Sequence, residues 1–244
     1  MNKLKLEGKN AVIEALLNDI EIEKIFIDEK VKYFSLIKKH SEIKKIELVK
    51  TERKKLNGMS EVKNHQGVIA ICKPKKYSTI DDIFATAKNK KESFFALILN
   101  NIIDPQNFGA IVRTSEACGI HGIIIPKKRS VNLSSSVIGK TSVGTVSRVN
   151  IVQVSNIVDI IKKLKNKNIW ALCADTCGEN LFNFDFNIPI VVVIGGEDNG
   201  ISRLVRDVCD FKLKIPMIGK INSLNASVAT GIFLYEHIRQ KLKK

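Results

Sequence analysis

The feature that most restricts the fold is a series of continuous apolar segments that alternate with amphipathic ones from Thr79 onward. Strands are predicted over 94–99, 122–125, 149–154, 169–174, 190–194 and 211–215, and helices over 108–118, 157–164, 204–208 and 227–242. Strands that lack a polar face are buried on both sides, and the intervening helices supply the cover. The alternation therefore predicts an α/β fold with a parallel sheet, in which ligands bind beyond the carboxyl ends of the strands.

The N-terminal part of the chain has a different and shorter rhythm. It predicts helices over 8–17 and 51–56, strands over 25–27, 46–49 and 68–71, and a polar loop through Gly58. We expect a small α/β domain over residues 1–72, followed by a linker over 73–78, where Pro74 stands among lysines. The second domain is expected over residues 79–244.

Composition favours a polyanionic partner. The chain of 244 residues has 40 Lys+Arg against 25 Asp+Glu, a net charge of +15, and its 44% hydrophobic content excludes a disordered protein. The charge is +7 over residues 1–76 and +8 over the rest, and 33 of the basic residues are lysines, so a generally Lys-rich solvated surface is an open alternative. No apolar run reaches membrane-span length and the N-terminus lacks an apolar signal segment, so we expect a cytoplasmic protein with no membrane contact.

The cysteines predict neither disulfides nor a metal site. Their number is odd, five, and they are scattered through apolar segments, which is typical of reduced, buried thiols in the cytoplasm. Cys173 and Cys177 are four residues apart, but no second pair or nearby histidine completes a zinc site.

Polar clusters follow three of the predicted strands. In the first, over 100–113, either Asp104 or Asn107 can cap the following helix, and Arg113 can bind a phosphate or a carboxylate. In the second, over 191–202, a strand runs into Gly195-Gly196-Glu197, a pattern that fits neither the dinucleotide fingerprint nor the phosphate loop. It is either a ligand loop suited to a positively charged group or a strand-to-helix turn capped by Ser202.

The third cluster, over 215–227, ends a strand at Pro216 and opens the last helix with a Ser/Asn-rich loop. One of Ser223 and Asn225 is expected to cap that helix. Polar side chains and free backbone N–H groups at a helix start also form a ligand cradle.

Together the clusters resemble the three motifs of the SpoU (TrmH-like) class of RNA 2′-O-ribose methyltransferases. They read N-x-x-D-P-x-N-x-G-x-x-x-R from Asn101, G-x-E-x-x-G from Gly195 and I-P-M-x-G-x-x-x-S-L-N-x-S from Ile215. The N-terminal part resembles the RNA-binding domain of that family, which is similar to a ribosomal protein, through GKNAV at 8–12 and HQGV at 65–68. The combination is most similar to members that methylate a guanosine 2′-OH in bacterial 23S rRNA.

The resemblance implies a trefoil-knotted parallel-sheet methyltransferase domain preceded by a small α/β RNA-binding domain. It implies that S-adenosyl-L-methionine binds bent in the knot, near Gly195, Ile215 and Leu224, in a homodimer whose active site lies near the subunit interface. The expected partner is 23S rRNA or a ribosomal assembly intermediate, and no metal is needed.

The resemblance also implies an active site formed by five side chains: Asn107, Arg113, Glu197, Ser223 and Asn225. A guanidinium does not give up its proton, so we expect Arg113 to stabilise the developing 2′-oxyanion, with a water or a substrate phosphate taking the proton. Asn107, Ser223 and Asn225 would orient the ribose, and Glu197 would hold Arg113 or Asn107.

Three departures from the family pattern and three alternatives accompany this prediction. Ala226 stands where the family usually has valine, and residues 140–145 vary a more alanine-rich pattern. Asp198 stands where the family commonly has a small residue, which places a second acid beside Glu197. The alternatives are a tRNA methyltransferase of the same class, a non-catalytic RNA-binding ribosome-assembly factor, and a self-resistance enzyme that acts on another rRNA loop.

Overall fold

A computed structural model of the protein describes residues 4–17, 20–61, 63–73, 77–133, 136–142, 145–197 and 200–243. In chain order its elements are β1 (Leu4–Glu7), α1 (Lys9–Leu17), β2 (Ile22–Ile27), α2 (Phe34–Ile43), β3 (Glu47–Lys50), α3 (Arg53–Met59), β4 (Val68–Cys72), α4 (Ile80–Lys90), β5 (Phe95–Asn100), α5 (Pro105–Ala117), β6 (Gly122–Pro126), α6 (Ser136–Thr141), β7 (Ile151–Val154), α7 (Ile157–Lys165), β8 (Trp170–Asn180), β9 (Ile190–Gly195), α8 (Arg203–Val208), β10 (Phe211–Lys214) and α9 (Ala226–Lys241). Single 3-10 turns lie at Thr145–Ser147 and Leu181–Asn183.

The chain divides into two compact units. The first contains Met1–Lys76 and Asn132–Ser147, and the second contains Tyr77–Val131 and Arg148–Lys244. The segment over 132–147 was expected within the second domain but packs in the first unit, so the domain bounds of 1–72, 73–78 and 79–244 stay a prediction. Of the proposed linker, Pro74, Lys75 and Lys76 lie outside the described residues.

The first unit is built on a four-stranded mixed sheet in the order β1-β4-β2-β3. Strands β2 and β3 are parallel, and β4 is antiparallel to both β1 and β2. Helix α6 packs on the edge strand β1, where a Cβ on Gly139 would lie 2.6 Å from the Leu6 side chain and 3.1 Å from the Lys5 carbonyl oxygen. Glycine is therefore required for the helix to approach the strand this closely.

Two elements of the first unit escape the sequence pattern. Strand β1 has only four residues with alternating leucines, and α2 carries four charged or titratable side chains between its few apolar ones. The helix expected over 51–56 begins later, at Arg53, and continues through Gly58. The predicted loop at Gly58 is therefore wrong, because a glycine on an exposed helix face costs only about 1 kcal/mol relative to alanine.

The second unit contains a six-stranded, entirely parallel sheet in the order β10-β8-β9-β5-β6-β7, which confirms the predicted α/β fold. The chain runs outward from β5 to β7 and then crosses to fill the other half of the sheet. The order therefore reverses between β5 and β9, which is the place where open α/β sheets bind ligands. The register pairs Asn100 of β5 with Gly195 of β9, so the first two polar clusters leave the sheet side by side.

Helix α5 begins three residues before the predicted start. Asp104 accepts a hydrogen bond from the Asn107 backbone N–H at 2.7 Å, and Pro105 occupies the first turn, where its missing N–H costs nothing. On the buried side, Phe108, Ile111 and Val112 are inaccessible to solvent. Helices α5 and α9 pack against each other beside the sheet, which brings the first and third polar clusters to the same edge.

All five cysteines are free thiols. Cys72, Cys118 and Cys173 are buried as predicted, and burial raises the pKa of Cys72 to about 12 and that of Cys118 to about 11. Cys209 is half-buried, and Cys177 is exposed, contrary to the prediction. Strand β8 continues beyond its pairing with β9, which ends at Cys173, so Cys177 lies past the covered part of the sheet.

In the part of the chain that the structure describes, no helix is long and apolar enough to cross a membrane. Nor do the histidines, cysteines and acids in these described ranges form a group of three or more arranged to hold a metal ion.

Candidate active site

Three amide and carboxylate side chains from the three polar clusters form one hydrogen-bonded group. Asn107 Nδ2 donates to Glu197 Oε1 at 3.1 Å, and Asn225 Nδ2 donates to Asn107 Oδ1 at 2.9 Å and also to Glu197 Oε1. Each residue comes from a different element: the first turn of α5, the loop after β9 and the start of α9. We call this group the Asn–Glu–Asn cluster.

Asn225 also begins helix α9. Its Oδ1 accepts hydrogen bonds from the Ser227 backbone N–H at 3.0 Å, the Ser227 hydroxyl at 2.6 Å and the Val228 backbone N–H at 3.4 Å. The cap expected from Ser223 or Asn225 is therefore Asn225. With the amide oxygen bound to the helix, the amide nitrogen is directed at Asn107 and Glu197, so the cap fixes the geometry of the cluster.

A cavity of about 490 Å³ opens on one side of the cluster. The predicted cofactor residues Gly195, Ile215 and Leu224 all line it, as do Glu197, Ser223 and Asn225. Its volume lies within the usual range for small-molecule sites, and it combines an apolar wall with a few polar groups. The apolar wall is formed by Ile194, Ile201, Leu213 and Phe233.

Backbone forms much of this wall. A Cβ on Gly195 would lie 2.4 Å from the carbonyl carbon of Gly200, and one on Gly196 would lie 2.2 Å from the carbonyl oxygen of Asn101. The loop after β9 is thus pressed against its own return and against the loop after β5. Only glycine permits both approaches, which explains the Gly-Gly pair that the sequence places before Glu197.

Asp175 is a cavity residue that sequence reasoning missed. Its side chain is only 6% exposed, and Oδ2 pairs with Arg206 Nε at 3.0 Å while Oδ1 accepts from the Cys177 backbone N–H. The signal was present in the sequence, since Asp175 directly follows the apolar strand predicted over 169–174 and so lies at a carboxyl end. It belongs to the same edge of the sheet as the three clusters.

Cys173 belongs to the hydrophobic core of this unit, and Cys209 packs against that core. Cys209 Sγ donates to the Val205 carbonyl oxygen at 3.2 Å, and a hydrogen bond with Cys173, together with burial, raises the pKa of Cys209. This direction of the pKa shift agrees with the packing of Cys209 against the hydrophobic core.

Arg113 stands apart from the cluster. It is exposed, it lines neither this cavity nor the one described next, and it has no hydrogen bond or ion pair with any residue that the structure describes. Six residues along an α-helix correspond to a rotation of about 240° and a rise of about 9 Å, so Arg113 and Asn107 project differently from α5. Of the two partners expected for Glu197, the structure therefore shows Asn107 and not Arg113.

A second cavity, of about 560 Å³, opens on the other side of the cluster. It shares Gly196, Glu197 and Ala226 with the first cavity, so the Asn–Glu–Asn cluster lies where the two meet. Its remaining lining comes from the loop after β5, the start of α5, Ser202 and Arg129. Sequence reasoning missed Arg129, which follows two lysines after β6 and belongs to none of the three clusters. Asp198, which lies next to Glu197 in the chain, is outside the described residues.

Comparison with known proteins decides the family. Residues 94–235 match the SpoU rRNA Methylase family, and residues 5–78 match the family described as RNA 2′-O ribose methyltransferase substrate binding. The chain belongs to the SpoU rRNA methylase family. A Bacillus subtilis (strain 168) relative, the "Putative TrmH family tRNA/rRNA methyltransferase YacO", is 39% identical over 96% of this chain and 94% of its own.

Two solved structures are similar to this SpoU methylase, one over nearly the whole chain and one over about two thirds of it. An AdoMet-bound rRNA methyltransferase from Sinorhizobium meliloti covers 98% of this chain and 87% of its own, with a TM-score of 0.80 and 24% identity, so it shares the fold. The A. aeolicus TrmH/SpoU tRNA modifying enzyme is 31% identical and covers 66% of this chain and 85% of its own, with a TM-score of 0.55. The protein is an S-adenosylmethionine-dependent RNA methyltransferase of the TrmH/SpoU class.

Proposed function

We propose that this SpoU methylase transfers a methyl group from S-adenosylmethionine to the ribose 2′-OH of a guanosine in 23S rRNA. The observation that carries the proposal is the Asn–Glu–Asn cluster at the junction of two cavities. One cavity has the size and the glycine-lined wall for the cofactor, and the other opens beside it for a nucleotide.

The residues of the cluster suit the positioning of a hydroxyl. S-adenosylmethionine, when bound, supplies an electrophilic methyl group on a sulfonium. Glu197 accepts from both amides and fixes Asn107 and Asn225, which, with Ser223, orient the ribose. Transfer of this kind depends mainly on alignment of the reacting atoms, to which such preorganised contacts contribute.

In this proposal Arg113 stabilises the developing 2′-oxyanion. Its guanidinium is exposed, lines neither cavity and has no anionic partner among the described residues, so this role requires the bound substrate to extend from the second cavity to Arg113. A guanidinium, with a pKa above about 12, cannot act as the base. The proton therefore passes to a water or to a substrate phosphate. In the homodimer that the family resemblance implies, the active site lies near the subunit interface.

The choice of rRNA over tRNA rests on the N-terminal part of the chain. The tRNA modifying enzyme matches only 66% of this chain, whereas the S. meliloti rRNA methyltransferase matches 98%. The matched substrate-binding region over 5–78 is an additional means of recognising a large, folded RNA. Because the proposed substrate is ribosomal RNA or an assembly intermediate, we expect the protein in the cytoplasm.

We also propose that the second unit contains the trefoil knot. The match to the SpoU family over residues 94–235 and the six-stranded parallel sheet support this proposal, because the knot is what the family resemblance implies.

The test is incubation with labelled S-adenosylmethionine and separate pools of unmodified 23S rRNA and tRNA, followed by mapping of alkali-resistant linkages. We expect label in 23S rRNA at a linkage that follows a guanosine. Label in tRNA alone would assign the enzyme to tRNA, and label in neither pool would favour the non-catalytic assembly factor.

A further inference from the structure

The lining of the second cavity includes a positive charge that pairs with no described group in either cavity. Arg129 is exposed, and it is the one basic residue among the described residues that line this cavity. No described residue forms an ion pair or a hydrogen bond with its side chain. The guanidinium is therefore not engaged by the described residues and is available to an anionic ligand.

The acids of the same cavity already have partners. Asp104 accepts the Asn107 backbone N–H at the start of α5, and Glu197 accepts both amides of the cluster. These hydrogen bonds from neutral donors fix the carboxylates without removing their charge, so Arg129 is the one described side chain of this lining that can attract an anion. Arginine is suited to that role because its planar fork binds two phosphate oxygens at once.

The loop that carries Arg129 is in an unfavourable conformation. Its φ of 56° lies in the left-handed region, which a residue with a Cβ rarely adopts. The strained backbone thus places an arginine, rather than glycine or asparagine, at the rim of the cavity. Strain of this kind is common where a fold positions a binding side chain.

The rest of the lining suits the uncharged part of a nucleotide. Ile102 and Ile103 follow β5 in the cavity, and the Ile103 side chain is 58% exposed, which gives an apolar surface for the face of a base. Glu197 and Asn107 of the Asn–Glu–Asn cluster belong to the same lining, and Glu197 also borders the cofactor cavity. A nucleotide bound in the second cavity would therefore meet the apolar residues, the cluster and Arg129.

We propose that Arg129 binds a backbone phosphate next to the target nucleotide and so holds that nucleotide in the second cavity. Arg129 is then a substrate-binding residue, distinct from the proposed catalytic Arg113. This inference rests on the proposed RNA methyltransferase function, but not on which RNA is the substrate.

The test compares Arg129→Ala, Arg129→Lys and Lys128→Ala in the full-length protein, with the RNA pool that the wild-type enzyme labels. Lys128 is exposed in the same loop but does not line the cavity, so its variant removes the same charge one residue away. For Arg129→Ala we expect the KM for RNA to rise about tenfold, while the dissociation constant of S-adenosylmethionine, measured by calorimetry, stays within twofold. In a plot of the logarithm of the RNA binding constant against the logarithm of the salt concentration, the slope should become less steep by about 0.7–0.9, which corresponds to one lost phosphate contact.

Arg129→Lys keeps the charge and should recover part of the loss, and Lys128→Ala should change KM less than twofold. Equal losses in Lys128→Ala and Arg129→Ala would show general attraction by the loop and would overturn the proposal. An Arg129→Ala variant with the wild-type KM and salt slope would also overturn it. If the wild-type enzyme labels no RNA, the proposed function itself fails, which is a separate outcome.

Discussion

Asn225 has two roles, and two substitutions at this residue distinguish them. Its Oδ1 caps helix α9, and its Nδ2 holds Asn107 and Glu197. Asn225→Ala removes both functions. Asn225→Ser keeps a side-chain oxygen that caps helices as well as asparagine does, but it removes the amide donor.

The capping role should affect the free energy of unfolding, and the role in the cluster should affect kcat. Loss of a helix cap costs about 1 kcal/mol, which lowers the melting temperature of a chain of this size by about 2–4 °C. We expect this loss in Asn225→Ala and a change of only a few tenths of a kcal/mol in Asn225→Ser. Both variants release Asn107 from one of its partners, so we expect kcat to fall about 100-fold in both, as when one preorganised donor is removed from an active site.

The assay combines thermal unfolding, calorimetry with S-adenosylmethionine and methylation of 23S rRNA with labelled cofactor. We expect a stable Asn225→Ser variant that binds cofactor and methylates poorly. A Ser variant with kcat within twofold of wild type would refute the role assigned to the amide nitrogen. A Ser variant as unstable as the Ala variant would refute the separation of cap from cluster.

Three other predictions concern charge, backbone and pH. Arg113→Ala should lower kcat about 100-fold or more, as expected for a lost oxyanion contact, while RNA binding in a filter assay is retained; methylation near the wild-type rate would exclude Arg113 from the chemistry. Gly196→Ala should weaken cofactor binding and lower the melting temperature, because its Cβ would overlap the Asn101 carbonyl oxygen. Gly58→Ala is the control: its Cβ would have no other atom within 4 Å, so this variant should bind cofactor normally and melt no lower than wild type. Burial lowers the pKa of His121 in the folded state, so the unfolded chain binds more protons below the ordinary histidine pKa of about 6.5, and the free energy of unfolding should fall as the pH drops below that value. In thermal melts between pH 5 and 8, His121→Gln should reduce the dependence of stability on pH. An unchanged pH dependence would contradict the assignment to His121.

The sequence predicts the centre of the second sheet well, because β5, β6 and β9 are nearly continuous apolar runs, whereas β10 alternates lysines with apolar residues. The polar clusters around Asn107, Glu197 and Asn225 follow strands or open helices, so local pattern locates them. That they form one cluster depends on β5 lying beside β9, an adjacency between segments about 90 residues apart that the apolar pattern does not encode. The family motifs supplied that link.

What the sequence missed has physical reasons. Arg129 follows Lys127 and Lys128, so it reads as part of a solvated basic loop until the fold closes a cavity beside it. Asp175 reads as an ordinary strand end, although its pairing with Arg206 buries it. The segment over 132–147 has no long apolar period, and its packing on β1 depends on the small size of Gly139, which only the tertiary contact reveals.

The measurement that tests the account most directly is mass spectrometry of 23S rRNA after reaction with the purified enzyme and S-adenosylmethionine. We predict one new 2′-O-methylguanosine, formed by the wild-type enzyme and strongly reduced with Asn225→Ser. A methyl group found on a base, or a 2′-O-methyl group found in tRNA and not in 23S rRNA, would contradict it.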